Sequence, residues 1–219
     1  MVRTASARLL AWGHRHLVMR SRIEKLADHL AVFFPEGASV LDVGAGSGEI
    51  AAAVMARQPD IVFEGVDVLV RDDTAVPVRQ FDGKNIPAKD GEFDLCMLVD
   101  VVHHAAEPQA LLAEAARVAR HGLVIKDHLA ANSFDHAVLA IMDWMGNRGH
   151  DVRLPYNYWP RSKWDLAFEE IGLRRQSEII RLALYPPPFT HLFDRGLHFI
   201  ARLEKSGGDH EEPWRSHLG

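Results

Sequence analysis

The sequence predicts an α/β fold, a doubly wound sheet of seven strands preceded by helices. Three observations predict it. An apolar run, Val40, Leu41 and Val43, leads straight into Gly44, Gly46 and Gly48. Short apolar runs that end in acids then alternate with stretches whose apolar residues recur at helical spacing. The segment Phe93 to Val99 is apolar apart from Asp94, as suits a central strand covered on both faces.

Residues 1–34 read as one or two helices ahead of the core. Within the first 25 residues Arg3, Arg8, Arg15, Arg20, Arg22 and Lys25 are offset only by Glu24. The segment fits a capping helix with a solvated basic face better than an organelle-targeting peptide or a membrane-surface helix. The first strand is Ser39 to Val43. The glycines let the backbone turn tightly and press against a ligand. Ser47 is placed to cap the helix that carries Ile50, Ala53, Val54 and Ala56, and Pro59 stops it. Val62 to Val66 is the second strand, ending at Asp67, and Val76 to Phe81 a weaker third, ending at Asp82 and Gly83. Phe93 to Val99 is the fourth. Pro108 opens a helix with Leu111, Leu112, Ala115, Val118 and Ala119 on one face, which Gly122 ends. Leu123 to Lys126 is the fifth strand.

After residue 128 the pattern changes. Asn132 caps a helix through Met145, ended by Gly146. Residues 147–160 read as a loop. Ser162 and Asp165 suggest a capping box for a helix to Ile171, ended by Gly172. Leu173 to Leu182 and Gly196 to Leu203 are the last two strands. The intervening Tyr185, Pro186, Pro187, Pro188 and Phe189 form a rigid turn, and residues 205–219 a polar tail.

Composition narrows the function. The chain has 219 residues, 47% of them hydrophobic and 25% charged, enough for one domain with a real core. A net charge of −5 gives no reason to expect nucleic acid. The single Cys96 sits in an apolar run, which suits a reducing cytoplasm. No run reaches the roughly 18 apolar residues of a membrane helix, so no stable membrane insertion is expected.

A strand, a glycine turn and a helix make a nucleotide-type loop at the carboxyl end of a parallel sheet. The spacing here is G-x-G-x-G, not the dinucleotide G-x-G-x-x-G, and Glu49 follows the last glycine. Asp42 stands two residues before the first glycine. A carboxylate there is a poor neighbour for a pyrophosphate and a good one for a ligand carrying an ammonium and a sulfonium.

This stretch resembles the first motif, acid-x-G-x-G-x-G, of the class I S-adenosylmethionine (SAM)-dependent methyltransferase family. The resemblance covers residues 38–128 and is nearest to the small-molecule branch with a minimal core, often labelled type 11. It implies a Rossmann-like sheet, mostly parallel with an antiparallel last strand. It also implies that SAM is the cofactor and that Asp67, 19 residues after Gly48, binds the ribose hydroxyls. Asp82 and Gly83 would read the adenine. The remaining cofactor contacts would come from Asp42, Gly44, Ala45, Gly46, Gly48, Val68, Asp100 and Val101. The organisation expected is a helical cap over 1–34, a methyltransferase domain over 35–204 with an acceptor lid at 129–160, and a tail over 205–219.

Methyl transfer needs a positioned nucleophile and, where it carries a proton, a base. Imidazole titrates near working pH. His103 and His104 follow the fourth strand, and Asp127 and His128 the fifth. His104 or His128 is the expected base, with Asp127 orienting it. Residues adjacent on an extended segment point opposite ways, so at most one of each pair is expected to face the ligand. A mixed metal site from Asp100, His103, His104, Asp127 and His128 is the less favoured alternative. The acid-rich motif of catechol-type members and a tight H-x3-H spacing are both missing, so no metal is expected. His150, Tyr156, Tyr158 and Trp159 offer ring contact for a small acceptor, and His191 and Arg195 stand near enough in sequence to meet an anionic group on it. Oxygen is the expected target, with nitrogen and carbon left open; Asp100-Val101-Val102-His103 replaces the Asp/Asn-Pro-Pro-Tyr/Phe motif of nitrogen-modifying members, which argues against DNA adenine methylation. The alternatives are a SAM-binding regulatory subunit without turnover and a nicotinamide-dependent oxidoreductase. A homodimer is left open.

Overall fold

The computed structural model describes residues 20–147, 155–184 and 195–206. These form one seven-stranded sheet. Its strands are β1 (Ser39–Val43), β2 (Val62–Asp67), β3 (Val78–Gln80), β4 (Phe93–Val99), β5 (Ala119–His128), β6 (Leu173–Ile179) and β7 (His198–Lys205). Their order across the sheet is β3-β2-β1-β4-β5-β7-β6. All pairings are parallel except those of β7, which runs antiparallel to both β5 and β6. The doubly wound sheet with its antiparallel last strand is therefore as expected. The order reverses beside β1, between β1 and β4, and an open α/β sheet binds ligands at that point.

The helices are α1, which runs through 20–31, α2 (Glu49–Met55), α3 (Pro108–Val118), α4 (Ser133–Asn147) and α5 (Arg161–Glu170), with a 3-10 turn at Val102–His104. They cover both faces. One core joins Leu41, Val43, Leu98 and Ile125 to α3, α5 and β7. The other joins Val40, Leu95, Met97 and Val124 to α2 and to Leu26, Ala27 and Leu30 of α1. The described part of the amino-terminal segment is thus packed on the sheet through one apolar face. Arg3, Arg8 and Arg15 lie outside the described residues, as do the Tyr185 to Phe189 turn and residues 207–219.

Several local expectations need correction, each with a physical reason. Ser47 does not cap α2. Gly48 takes the capping position in a left-handed conformation, and the Ser47 hydroxyl donates to Glu49 instead. Gly122 does not end α3 but lies inside β5, which begins at Ala119. A Cβ at Gly122 would stand 1.9 Å from the Leu203 carbonyl oxygen, so the close approach of β7 requires the glycine. The capping box at Ser162 does not form. Pro160 precedes the first turn, Ser162 sits within the helix, and Asp165 pairs with Arg175. Gly146 lies within α4 instead of ending it. The last two strands are shifted, with β6 stopping at Ile179 and β7 running from His198 to Lys205. Asn132 does cap α4, its side-chain oxygen accepting the Phe134 and Asp135 amides at 3.0 Å each.

Candidate active site

The glycine loop leaves β1 at the sheet's carboxyl edge. Gly44, Gly46 and Gly48 all have positive φ, at 77°, 57° and 70°. Packing fixes two of them further. A Cβ at Gly44 would meet Val101 Cγ2 at 2.5 Å, and one at Gly48 would meet Val76 Cγ2 at 2.7 Å. Asp67, at the end of β2, ties the loop down: its carboxylate accepts the Gly46 amide at 2.8 Å and the Leu69 amide at 2.9 Å. Ala45 is anchored by its amide to the Val66 carbonyl. Val68 is exposed and lies at 3.2 Å from where a Gly83 Cβ would be. Asp82 accepts the Lys84 and Asn85 amides in a tight turn, and these bonds, led by the Asn85 amide, hold its carboxyl down at about 2.

Asp42 is buried in β1. Burial, and then the charge of Asp67, push its carboxyl up to about 7. A cationic ligand on this edge would favour its charged form.

The second half of the site lies at the ends of β4 and β5. Asp100 follows β4 at a φ of 57°, unusual for a residue with a side chain. Lys126, fully buried on β5, and Arg22 of α1 at 2.5 Å both reach its carboxylate. Burial opposes the charge on Asp100, but these two cations outweigh it and hold its carboxyl well below the usual range. Burial drives Lys126 down in turn.

From Asp100 the chain passes Val101, which seats against Gly44, into the Val102–His104 turn. That turn is helical, not extended, so His103 and His104 do not point opposite ways. Their ring centroids are 4.0 Å apart, and both face Asp143 of α4. The alternation expected for these two residues is overturned because a 3-10 turn replaces an extended segment. His103 Nδ1 lies 2.7 Å from Asp127 Oδ1, with both side chains buried. Asp127 also accepts the amides of Val102 and His128. It thus holds His103 most closely, a pairing that was not expected, and it also reaches His128. His128 Nδ1 stands 3.3 Å from both His103 Nδ1 and Asp127 Oδ1.

The three imidazoles differ in charge. Burial opposes protonation of His103, but Asp127 and then Asp143 raise it to about 10. Burial, and then the charge of His103, lower His104. Burial, and then Lys126, lower His128 to about 4. His104 and His128 are therefore neutral near pH 7, as a proton acceptor must be. His104 is the more open of the two.

Tyr158 enters the cluster from beyond α4. Its hydroxyl donates to Asp143 Oδ2 at 2.6 Å, and its ring lies 5.5 Å from His103 and 5.6 Å from His128. Trp159 packs in the core beside Trp164, and Tyr156 packs partly buried beside Tyr158. Arg195 pairs with Asp135 and lies over the Phe134 ring. His150 and His191 are outside the described residues.

A family model for a methyltransferase domain, numbered 23 in the methyltransferase series, matches residues 11–178. The chain belongs to the class I SAM-dependent methyltransferases. An uncharacterised methyltransferase of Mycobacterium sp. strain JLS is 33% identical over 130 residues, covering 56% of this chain and 46% of that protein. The 27-O-demethylrifamycin SV methyltransferase of Amycolatopsis mediterranei is 27% identical over 139 residues, covering 56% and 51%. The chain thus spans about half the length of the curated relatives it matches. Among solved structures, a candidate methyltransferase bound to the Trm112 activator of Haloferax volcanii superposes with a TM-score of 0.64 at 19% identity, over 92% of this chain and 97% of that one. A SAM-dependent methyltransferase of Aquifex aeolicus gives 0.57 at 19%, over 84% and 93%. At these identities the structures show the fold alone.

For this methyltransferase domain the cofactor is SAM, and its residues fit that group: a glycine cradle closed by Val101 and Val76, and a buried carboxylate at Asp42 that a cationic ligand would ionise. Arg22, Lys126 and Asp143 are site residues that sequence reasoning missed. Lys126 carried a signal, as a lone cation ending an apolar strand. Arg22 and Asp143 carried none, since each reaches the site only through tertiary packing.

Proposed function

We propose that this domain transfers a methyl group from SAM to a small-molecule acceptor, at oxygen, with an imidazole as general base. One observation carries the reading. The residue that seats against the cofactor loop, Val101 on Gly44, delivers His103 and His104 two and three residues later, so the glycine cradle and the imidazole cluster share one edge.

SAM supplies an activated methyl group when bound. Asp67 and the loop amides would hold its ribose side, Asp82 and Gly83 its adenine, with Val68 beside them, and Asp42, Asp100 and Val101 its amino-acid side. His104 or His128 takes the acceptor's proton, both being neutral at working pH. His103, paired to Asp127, positions the cluster. Tyr156 and Tyr158 offer the acceptor an aromatic wall, within a lid over 129–160, and His150 falls on the same segment. Trp159 supports that wall from the core.

A small acceptor suits an acidic chain, and an oxygen acceptor suits the similarity to the demethylrifamycin enzyme. No helix among the described residues is long and apolar enough to cross a membrane. A cytoplasmic setting suits the lone buried Cys96. The same geometry without turnover would serve a regulatory SAM-binding subunit.

The test is an acceptor screen with methyl-labelled SAM, run on wild type, His104→Gln and His128→Asn. Labelled product whose formation falls about 10²–10⁴-fold in one variant, with SAM affinity kept, identifies the base. SAM binding with no acceptor labelled across a broad panel favours the regulatory subunit.

A further inference from the structure

We propose that His103, His104 and Asp143 form a binding site for a first-row divalent transition-metal ion. One nitrogen from each imidazole and one Asp143 oxygen lie within 4.8 Å of one another. His103 Nε2 is 3.6 Å from Asp143 Oδ2, and His104 Nε2 is 3.7 Å from Asp143 Oδ1. These separations are too long for hydrogen bonds. They run to different oxygens of Asp143, and the first matches the edge of a four-coordinate site, since ligands at roughly 2.0–2.2 Å from a tetrahedral ion stand roughly 3.3–3.6 Å from each other.

A second, independent observation points to a ligand. His103 Nε2 is buried with no hydrogen-bond partner, although its ring is held firmly from the other side. That hold is Asp127, 2.7 Å from Nδ1 and itself buried. A carboxylate on the far nitrogen fixes the ring, as metal-binding histidines need, and an incoming ion would displace the proton on Nε2. Tyr158 does the same for the carboxylate, donating to Asp143 Oδ2 at 2.6 Å. The backbone explains the convergence: the 3-10 turn puts consecutive histidines on one side, and α4 carries Asp143 across to them.

The donor set selects the ion. Two imidazoles and one carboxylate suit zinc, iron, cobalt or nickel, whereas magnesium and calcium prefer all-oxygen sites. A second group, Asp100, His103 and His128, also has three ligand atoms within 4.8 Å. It is the poorer site, because Arg22 and Lys126 already neutralise Asp100. The expectation of no metal rested on missing sequence motifs, and Asp143 lies 39 residues beyond His104, where no short spacing reveals it.

Three protein ligands leave a coordination position open. An acceptor hydroxyl bound there would lose its proton more readily, as metal-bound water does. His128 then remains as the proton acceptor. The ion's binding stands on these side chains alone; its hold on the acceptor rests on the methyl-transfer reading.

The experiment uses the full chain, untagged and metal-stripped, without SAM or acceptor, titrated with Co²⁺, Zn²⁺ and Mg²⁺. The expected result is one Co²⁺ per chain, visible d–d bands of a four-coordinate site, displacement by Zn²⁺ and no competition by Mg²⁺. Asp143→Asn and His104→Gln should each weaken Co²⁺ binding by more than about 100-fold, and Asp127→Asn by about 10–100-fold. Retained SAM affinity in Asp143→Asn and His104→Gln shows that each variant is folded. Failure to bind Co²⁺ or Zn²⁺, or binding unchanged in both ligand variants, overturns the proposal. Neither outcome touches the cofactor reading, which the SAM titration reports separately.

Discussion

His103 and Asp127 form a buried pair, Nδ1 to Oδ1 at 2.7 Å, that ties the turn after β4 to the end of β5. Asp127 also accepts two backbone amides, from Val102 and His128. Asparagine in its place keeps one oxygen, so the substitution sets a donor NH2 against either the Val102 amide or the His103 and His128 donors and removes the charge that pairs with His103. Asp127→Asn should destabilise the fold by about 3–5 kcal/mol, the usual cost of breaking a buried pair from one side. Urea unfolding measures this. A loss below about 1 kcal/mol would mean that the pair holds little.

Gly44 is constrained twice, by a φ of 77° and by Val101 Cγ2 at 2.5 Å from where a Cβ would be. Gly44→Ala should cost about 1–3 kcal/mol and weaken SAM binding with it. Adding Val101→Ala should restore part of the stability, since it removes the clash but not the backbone strain. Thermal unfolding of the single and double variants separates the two contributions.

Asp42 gives a pH dependence of known sign. Its carboxyl is pushed up to about 7 in the folded chain, from 3.8. The folded state keeps a proton that the unfolded chain releases, so this group lowers stability as pH rises from about 4 to 7, by at most roughly 1.4 kcal/mol per pH unit. Above 7 the effect is constant. Asp42→Asn should flatten that slope in urea titrations at pH 5 and pH 8. A slope identical to wild type would show that Asp42 ionises freely.

Asp42 also predicts proton release on cofactor binding. A bound cation would favour the carboxylate. Near pH 6.5 the SAM binding enthalpy should then vary with the ionisation heat of the buffer, and Asp42→Asn should remove that variation.

Lys126 and Arg22 share Asp100. Lys126→Met leaves Asp100 with Arg22 alone and should cost about 3 kcal/mol or more in urea unfolding. Lys126→Met combined with Asp100→Asn should recover part of it, since the buried cation and its carboxylate are then removed together and Arg22 is part-exposed.

The sheet was legible because its strands obey local rules. Phe93 to Val99 has the continuous apolar run of a covered strand, and the glycine turn after Val43 fixes where a ligand lies. Boundaries were less legible where tertiary contact overrides a local signal. Gly122 looks like a helix stop, yet it is there because β7 passes within 1.9 Å of its missing Cβ. In the site, His103, His104, Asp127 and His128 stood out as titratable residues at strand ends. Their pairing did not, because it depends on a 3-10 turn where extended chain was expected. Asp143 and Arg22 were invisible for the same kind of reason: α4 and α1 carry them in from distant sequence.

The most direct test of the central claim is calorimetric titration with SAM and its demethylated product, beside NAD, for wild type and Asp67→Ala. Asp67 holds the glycine loop through the Gly46 amide at 2.8 Å. One-to-one binding of SAM and product that is lost in Asp67→Ala, with no NAD binding, is the predicted result. Wild-type protein that binds NAD but not SAM would contradict the cofactor assignment and every residue role built on it.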